Sequence, residues 1–244
     1  MKLGLALGLL LLLGLVISAP ARLLTYVLPP GQVVLQGVSG TLWQGRAGSC
    51  LVAVSGAYLH LGEVNWRLNP LSLLLFSPEL ELESRWGSQQ FSGRLALTGA
   101  NSLSARDIEA SVPASLAQQF MPVVLEGKLS ARFEHLRVEQ GLPIAASGSL
   151  VWQNALWSSP QGRVPLGSYA LELEQDEDGP LSGEIITLAG PIQAEGLVEL
   201  HGRSYRIDAL LSGEDDLDSQ LQQALSLVAA PEGQGFRVRL GGEI

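Results

Sequence analysis

The chain is poor in the residues that perform chemistry. One cysteine, Cys50, and three histidines occur in 244 residues. An intramolecular disulfide is therefore excluded, and a structural zinc site, which takes four nitrogen or sulfur ligands, has too few to draw on. Charge is scarce as well, at 16% of residues against a usual share of roughly 25%. Basic residues are the rarer sign: 15 Lys and Arg stand against 24 Asp and Glu, for a net charge of −9. The broad positive field that holds a phosphate backbone is missing, so nucleic acid is not an expected partner. Divided at residue 122, the chain has 7 basic and 6 acidic residues in its first half and 8 and 18 in its second, so the acidity belongs to the C-terminal half.

Catalytic motifs are absent too. Gly37-Val38-Ser39-Gly40 lacks the final glycine of a nucleophile elbow, and no H-E-x-x-H, P-loop or G-x-G-x-x-G is present. His60 and Glu63 lie three apart, a spacing that puts them on opposite faces of a strand. His135 and His201 have no second ligand nearby. The carboxylates Glu172, Glu174, Asp176, Glu177 and Asp178 fit no calcium loop and read as a solvated hairpin tip. Cys50, with no adjacent cation to lower its pKa, reads as a small buried hydrophobe. No catalytic, cofactor-binding or metal-binding residue is expected, and no enzyme. Trp43, Trp66, Trp86, Trp152 and Trp157 are expected chiefly as anchors of packing.

What the chain does have is grease at its start and a period of two afterwards. Leu3 to Ala19 is an uncharged, leucine-dominated run of 17 residues, and it approaches the ~20 residues that span a bilayer if the helix continues past Arg22 to Leu28. In that reading Lys2 and Arg22 mark the membrane interfaces, Arg22 snorkelling, and Tyr26 sits at headgroup level. A cleaved signal peptide is the competing reading, because Ala19-Pro20-Ala21 has the small residues of a cleavage site. The anchor is favoured because apolar residues resume directly after Arg22. Either way residues 31–244 are exported. The expected organisation is a cytoplasmic start and transmembrane helix over 1–28 and a β-rich domain over 29–244, with a possible subdivision near 158–180.

Beyond residue 31, alternation as in Leu80-Glu81-Leu82-Glu83 and Tyr169-Ala170-Leu171-Glu172-Leu173-Glu174 predicts strands with one wet face. Similar stretches, among them Thr41–Ala47, Leu59–Leu68, Leu125–Phe133, Leu150–Leu156 and Ile192–Leu200, bring the total to about a dozen. Their spacing predicts an extended, curved antiparallel sheet, either a sandwich or an open groove. Helices are expected at Pro70–Phe76, Pro113–Met121 and Asp215–Ala229, the last with Leu217, Leu221, Leu225 and Val228 on one face. A Gly-x-apolar rhythm recurs at Gly40, Gly93, Gly127, Gly148 and Gly183. It reads either as strand bulges or as a repeated unit of an open sheet.

Two blocks carry a family resemblance. Leu35-Gln36-Gly37-Val38-Ser39-Gly40-Thr41-Leu42-Trp43-Gln44-Gly45-Arg46-Ala47 resembles the opening signature of the type II secretion system protein N family. Leu61-Gly62-Glu63-Val64-Asn65-Trp66-Arg67-Leu68-Asn69-Pro70-Leu71-Ser72-Leu73-Leu74 resembles its second block, in which a Trp strand runs into a short Pro-started helix. The residues carried over are Gly37, Gly40, Thr41, Leu42, Trp43, Gly45, Gly62, Trp66 and Pro70. The resemblance implies a single-pass inner-membrane protein with a periplasmic β-rich domain, working with other components of the apparatus that exports folded proteins. More faintly, the strand rhythm is similar to open-groove proteins of the AsmA type, which implies the alternative of an envelope lipid-binding or lipid-transfer protein.

Overall fold

The computed structural model describes residues 14–29, 31–54, 57–74, 77–99, 101–119, 124–159, 162–175, 179–213, 219–227 and 229–243. The chain divides into two compact units, one up to Gly99 and the other from Ala100. The stretch 158–180 falls inside the second unit, where it holds the end of one strand and the whole of the next.

In the first unit, β1 (Val33–Gln36), β3 (Gln44–Val54), β4 (Ala57–Leu68), β5 (Glu79–Trp86) and β6 (Gln89–Gly99) pair in that order, all antiparallel, and the two-residue β2 (Ser39–Gly40) adds to β3. Cross-strand partners share a face. Trp66 lies opposite Gly45 and Leu82, and Val64 opposite Ala47 and Ser84, while Arg67 and Glu81 face each other on the other side. The alternation of β5 thus becomes one dry face and one charged face.

The leader does not run on as a single helix. Residues 14–17 are helical, but Pro20 is extended (φ −72°, ψ 143°), and only a 3-10 turn, Ala21–Leu23, and one α-turn, Leu24–Val27, follow. The expected continuation to Leu28 is corrected by Pro20, which has no N–H to give a helix and whose ring collides with the preceding turn. Among the described residues no helix is long and apolar enough to cross a membrane. Lys2 and most of the apolar run lie outside the described residues.

The second unit is a meander of long strands. β7 (Ser102–Pro113), β8 (Val124–Glu139), β9 (Leu142–Ser159), β10 (Gly162–Gln175), β11 (Leu181–Ala189), β12 (Ile192–His201) and β13 (Ser204–Gly213) pair in sequence order, followed by β15 (Gly235–Glu243) and the short β14 (Ala230–Glu232). β8 and β9 have 16 and 18 residues, where alternation alone marks only Leu125–Phe133 and Leu150–Leu156. Register shifts at Glu126/Lys128, Phe133/His135 and Arg137/Val138 interrupt the two-residue period without ending the strands. In β7, Asp107 takes a positive φ of 49° and moves the buried side from Ala105 to Ile108, a three-residue step that hides the strand from a periodicity reading.

Of the three expected helices, Pro70–Leu74 and Ser219–Leu225 are present, and Leu221 is buried against Ile192 with Leu225 beside it. Residues 214–218 and 228, which include the expected acidic cap, Leu217 and Val228, lie outside the described residues. Pro113 closes β7 rather than opening a helix, and Ala114–Gln119 is a 3-10 segment. Thr41–Trp43 is a turn, so β3 starts three residues later than alternation indicates.

Candidate functional site

The first family block folds into a clasp that grips the leader. Gly40 has φ +93°, and a Cβ there would stand 2.6 Å from the Gln44 carbonyl, so only glycine admits the turn that follows. That turn closes when Thr41 N–H donates to the Gln44 carbonyl at 2.9 Å and Gln44 N–H donates to the Thr41 hydroxyl at 3.1 Å. Leu42 and Trp43 are held at its tip. Leu42 N–H donates to the Ala19 carbonyl at 2.8 Å, and the Trp43 indole N–H donates to the Val16 carbonyl at 2.8 Å. Pro20 and Thr41 form an isolated bridge. Three contacts therefore join the end of the apolar run to residues 41–43.

Beneath the clasp lies the unit's tightest packing. Ala47 and Ala21 are 0% and 1% exposed and Trp66 is 6% exposed, with Leu24, Leu35, Val38, Leu80 and Leu82 around them. The Trp66 N–H donates to the Leu42 carbonyl at 3.2 Å, which satisfies its polar atom at the same turn. Gly45 is small because Trp66 lies on it: a Cβ would fall 2.5 Å from the indole ring. Gly37 is exposed at the end of β1. Gly62 is buried at φ +71°, and a side chain there would strike the Arg85 carbonyl and Trp86. Pro70 opens the helix that follows β4. Arg22 is exposed and Tyr26 is 86% exposed. Gly40, Thr41, Leu42, Trp43, Gly45 and Trp66 thus converge on one structure, whereas Gly37 lies beside Gly48, Gly62 lies earlier in β4 and Pro70 beyond it. Missing from the sequence reading is the packing of Ala21 and Ala47 against Trp66, a role of smallness that neither the cleavage-site motif nor the family block discloses.

His60 is accounted for by packing. Its ring stacks on Trp86 with centroids 4.1 Å apart, Nδ1 accepts the Gly62 N–H at 3.0 Å, and Nε2 lies 3.3 Å from the Ser49 hydroxyl. Cys50 is buried, and burial pushes its thiol pKa up, the opposite of what a nucleophile needs. Among the described residues, no three of His, Cys, Asp and Glu gather as a metal site would require.

A second feature belongs to the second unit. Following register partners across it gives the row Ile108, Phe133, Gly148, Leu173, Gly183, Val198, Ile207, Leu240. Beside it runs Ala110, Ala131, Leu150, Leu171, Ile185, Gly196, Ala209, Val238. Eight strands at ~4.8 Å spacing make an uncharged face roughly 34 Å wide. The intervening row, Glu109, Arg132, Ser149, Glu172, Glu184, Leu197, Asp208, Arg239, is the polar face. All strands of the unit belong to this one sheet, and among the described residues its cover is slight: Leu150 and Leu240 remain 38% and 45% exposed. At one end Leu221 packs on Ile192 near Trp157, Leu166 and Phe236. There Tyr169, its pKa raised by burial to about 12, has its hydroxyl 2.7 Å from the Leu166 carbonyl.

Comparison with known proteins places these features. The family model for protein N of the type II secretion system matches residues 31–239. A type II secretion system protein N from Aeromonas hydrophila is 34% identical over 241 residues, covering 94% of this chain and 93% of its own. Another from Vibrio cholerae serotype O1 is 29% identical over 247 residues, covering 95% and 93%. No solved structure gives a significant match.

Proposed function

The chain belongs to the type II secretion system protein N family and is a component of that apparatus, and from this premise we propose that it is a non-catalytic inner-membrane subunit. Its leader stays attached as a single-pass anchor with the N-terminus in the cytoplasm, both β units stand in the periplasm, and the protein supports passage of folded substrates across the outer membrane through contacts with other subunits. The observation that carries this reading is the clasp. Cleavage after Ala21 would remove Ala21 from its place against Ala47 and Trp66, and would strip the Leu42 and Trp43 N–H groups of their acceptors. A leader built into the core is retained at less cost than it is lost. Purification from membranes with the N-terminal residue determined in the same sample tests it. The expected result is an uncleaved start with apparatus subunits co-purifying, and secretion impaired when the protein is deleted. A chain beginning at Arg22, or normal secretion without the protein and no subunit attached to it, overturns the reading.

A lipid-handling role is the second reading, and the uncharged face of the second unit favours it. An apolar sheet face left without a second layer is larger than a soluble surface ordinarily tolerates, and acyl chains are one way to cover it. Mass spectrometry of gently extracted protein decides this: bound phospholipid lost on Leu150→Lys supports the role, and lipid-free protein removes it.

A further inference from the structure

In the helix Pro70–Leu74 a serine is buried while two leucines are exposed. Asn69 caps it, its Oδ1 accepting the Leu71 N–H at 3.1 Å, and Pro70 takes the first helical position. Its serine faces the protein. Ser72 is 6% exposed, donates its hydroxyl proton to the Asn69 carbonyl at 2.5 Å and accepts the Glu79 N–H at 2.8 Å. Leu71 and Leu73 face out, 67% and 40% exposed. A surface helix normally does the reverse, apolar in and polar out. Isolated exposed leucines need no explanation, but here two hydrogen bonds fix the rotation that exposes them. From Leu68 to Pro78 the chain carries no charge, with Arg67 and Glu79 at the boundaries.

The same part of the unit receives the leader. Trp43 donates its indole N–H to the Val16 carbonyl, and its own carbonyl accepts the Leu68 N–H at 2.7 Å. Leu71 is three residues beyond Leu68, hence at most ~11 Å from it. On the leader side Leu15, Val16 and Ile17 are exposed by 63%, 46% and 61%. Two outward apolar surfaces thus flank Trp43.

We propose that Pro70–Leu74 is a second membrane contact, lying in the interface of the bilayer that holds the leader, with Leu71 and Leu73 against the acyl chains. The helix would give the first unit a second point of support on the membrane beside the leader and so fix its tilt. This rests on the leader being a retained anchor, and the test separates the two. Full-length protein, with the buried Cys50 left in place, is given one cysteine by Leu73→Cys, Leu71→Cys, Ile17→Cys or, as a polar control, Gln90→Cys. Each is labelled with an environment-sensitive fluorophore and reconstituted in phosphatidylethanolamine and phosphatidylglycerol vesicles with and without nitroxide lipids. Blue-shifted emission and lipid quenching at 71 and 73 comparable to that at 17, and absent at 90, is the expected result. Quenching at 17 without quenching at 71 and 73 overturns the second contact and leaves the anchor standing, whether those labels report water or the shelter of a partner protein. Quenching at 71 and 73 without 17 upholds the contact and overturns the anchor.

Discussion

The two units use the same strand grammar and reach opposite degrees of closure. In the first, the apolar face of β3 and β4 meets the chain's own leader, and Trp66, Val64 and Ala47 are all but sealed. In the second, Phe133, Leu171, Ile185, Val198, Ile207 and Val238 of a wider face are half-buried, with one short helix at its end. Among the described residues no large side chain is fully buried. Apolarity of a strand therefore does not set its burial; what lies across the face does. Charge follows the same division, with six basic and four acidic residues up to Gly99 and nine and twenty from Ala100. The unit that carries the leader is nearly balanced, and the acidic one carries the open face.

The sharpest way to break this contrast is truncation on each face. Trp66→Ala should destabilise the first unit by about 3–5 kcal/mol, through lost burial and the cavity left under the clasp. Phe133→Ala, with part of its ring already in solvent, should cost roughly half as much. Hydrogen exchange of β4 and β8 amides reads the two separately, and equal losses of protection would mean the second face is covered after all. Gly45→Val should come next, at about 1–3 kcal/mol, because overpacking displaces the Trp66 ring; it should also loosen the leader, seen as faster proteolysis near Ala19. Smaller again is Leu150→Lys. Its flexible stem reaches water from a half-open face, so about 1 kcal/mol or less is expected, whereas Val64→Lys should prevent the first unit from folding. Denaturant midpoints check both, and a severe effect of Leu150→Lys would show that something seals the second face.

How much of this is legible in the sequence depends on the residue. Period-two alternation announces β5 and β6, which pair with each other without a register shift, and the stretch of β10 from Tyr169 onward, which follows the shifts at Pro165–Tyr169, and the glycine spacing of the first block announces a tight structure around Trp43 and Trp66. β7 is not announced, since Asp107 turns a two-residue step into three. β11 is faint because Gly183 and Thr187 occupy its apolar face where larger residues would give the rhythm away. The clasp's other half is invisible for a different reason: Val16, Ala19 and Ala21 contribute carbonyls and smallness, which no side-chain pattern encodes. Nor can alternation tell a covered face from a bare one, since both require the same residues.

The weakest expected effect lies on the polar face of the second unit and separates the faces by pH. Arg237 binds Asp208 through two bonds, Nε to Oδ1 at 2.6 Å and Nη2 to Oδ2 at 3.0 Å, and reaches Glu232 at 3.0 Å, tying β13, β14 and β15 together. The hydrogen bonds from Arg237, with the nearby charges of Arg237 and Arg239, hold the Asp208 carboxyl below its ordinary value. A carboxylate whose folded pKa is lowered adds stability above its unfolded value, and that stability disappears as pH falls through the folded one. The loss therefore falls below about pH 4, the ordinary aspartate range. Because the cluster is solvent-screened, the shift in melting temperature should be small. Asp208→Asn should lower the melting temperature slightly at neutral pH and converge with the unaltered protein in acid, while the apolar-face variants keep their offsets across the same range. A pH-independent offset for Asp208→Asn would show that the carboxylate acts through packing rather than through its charge.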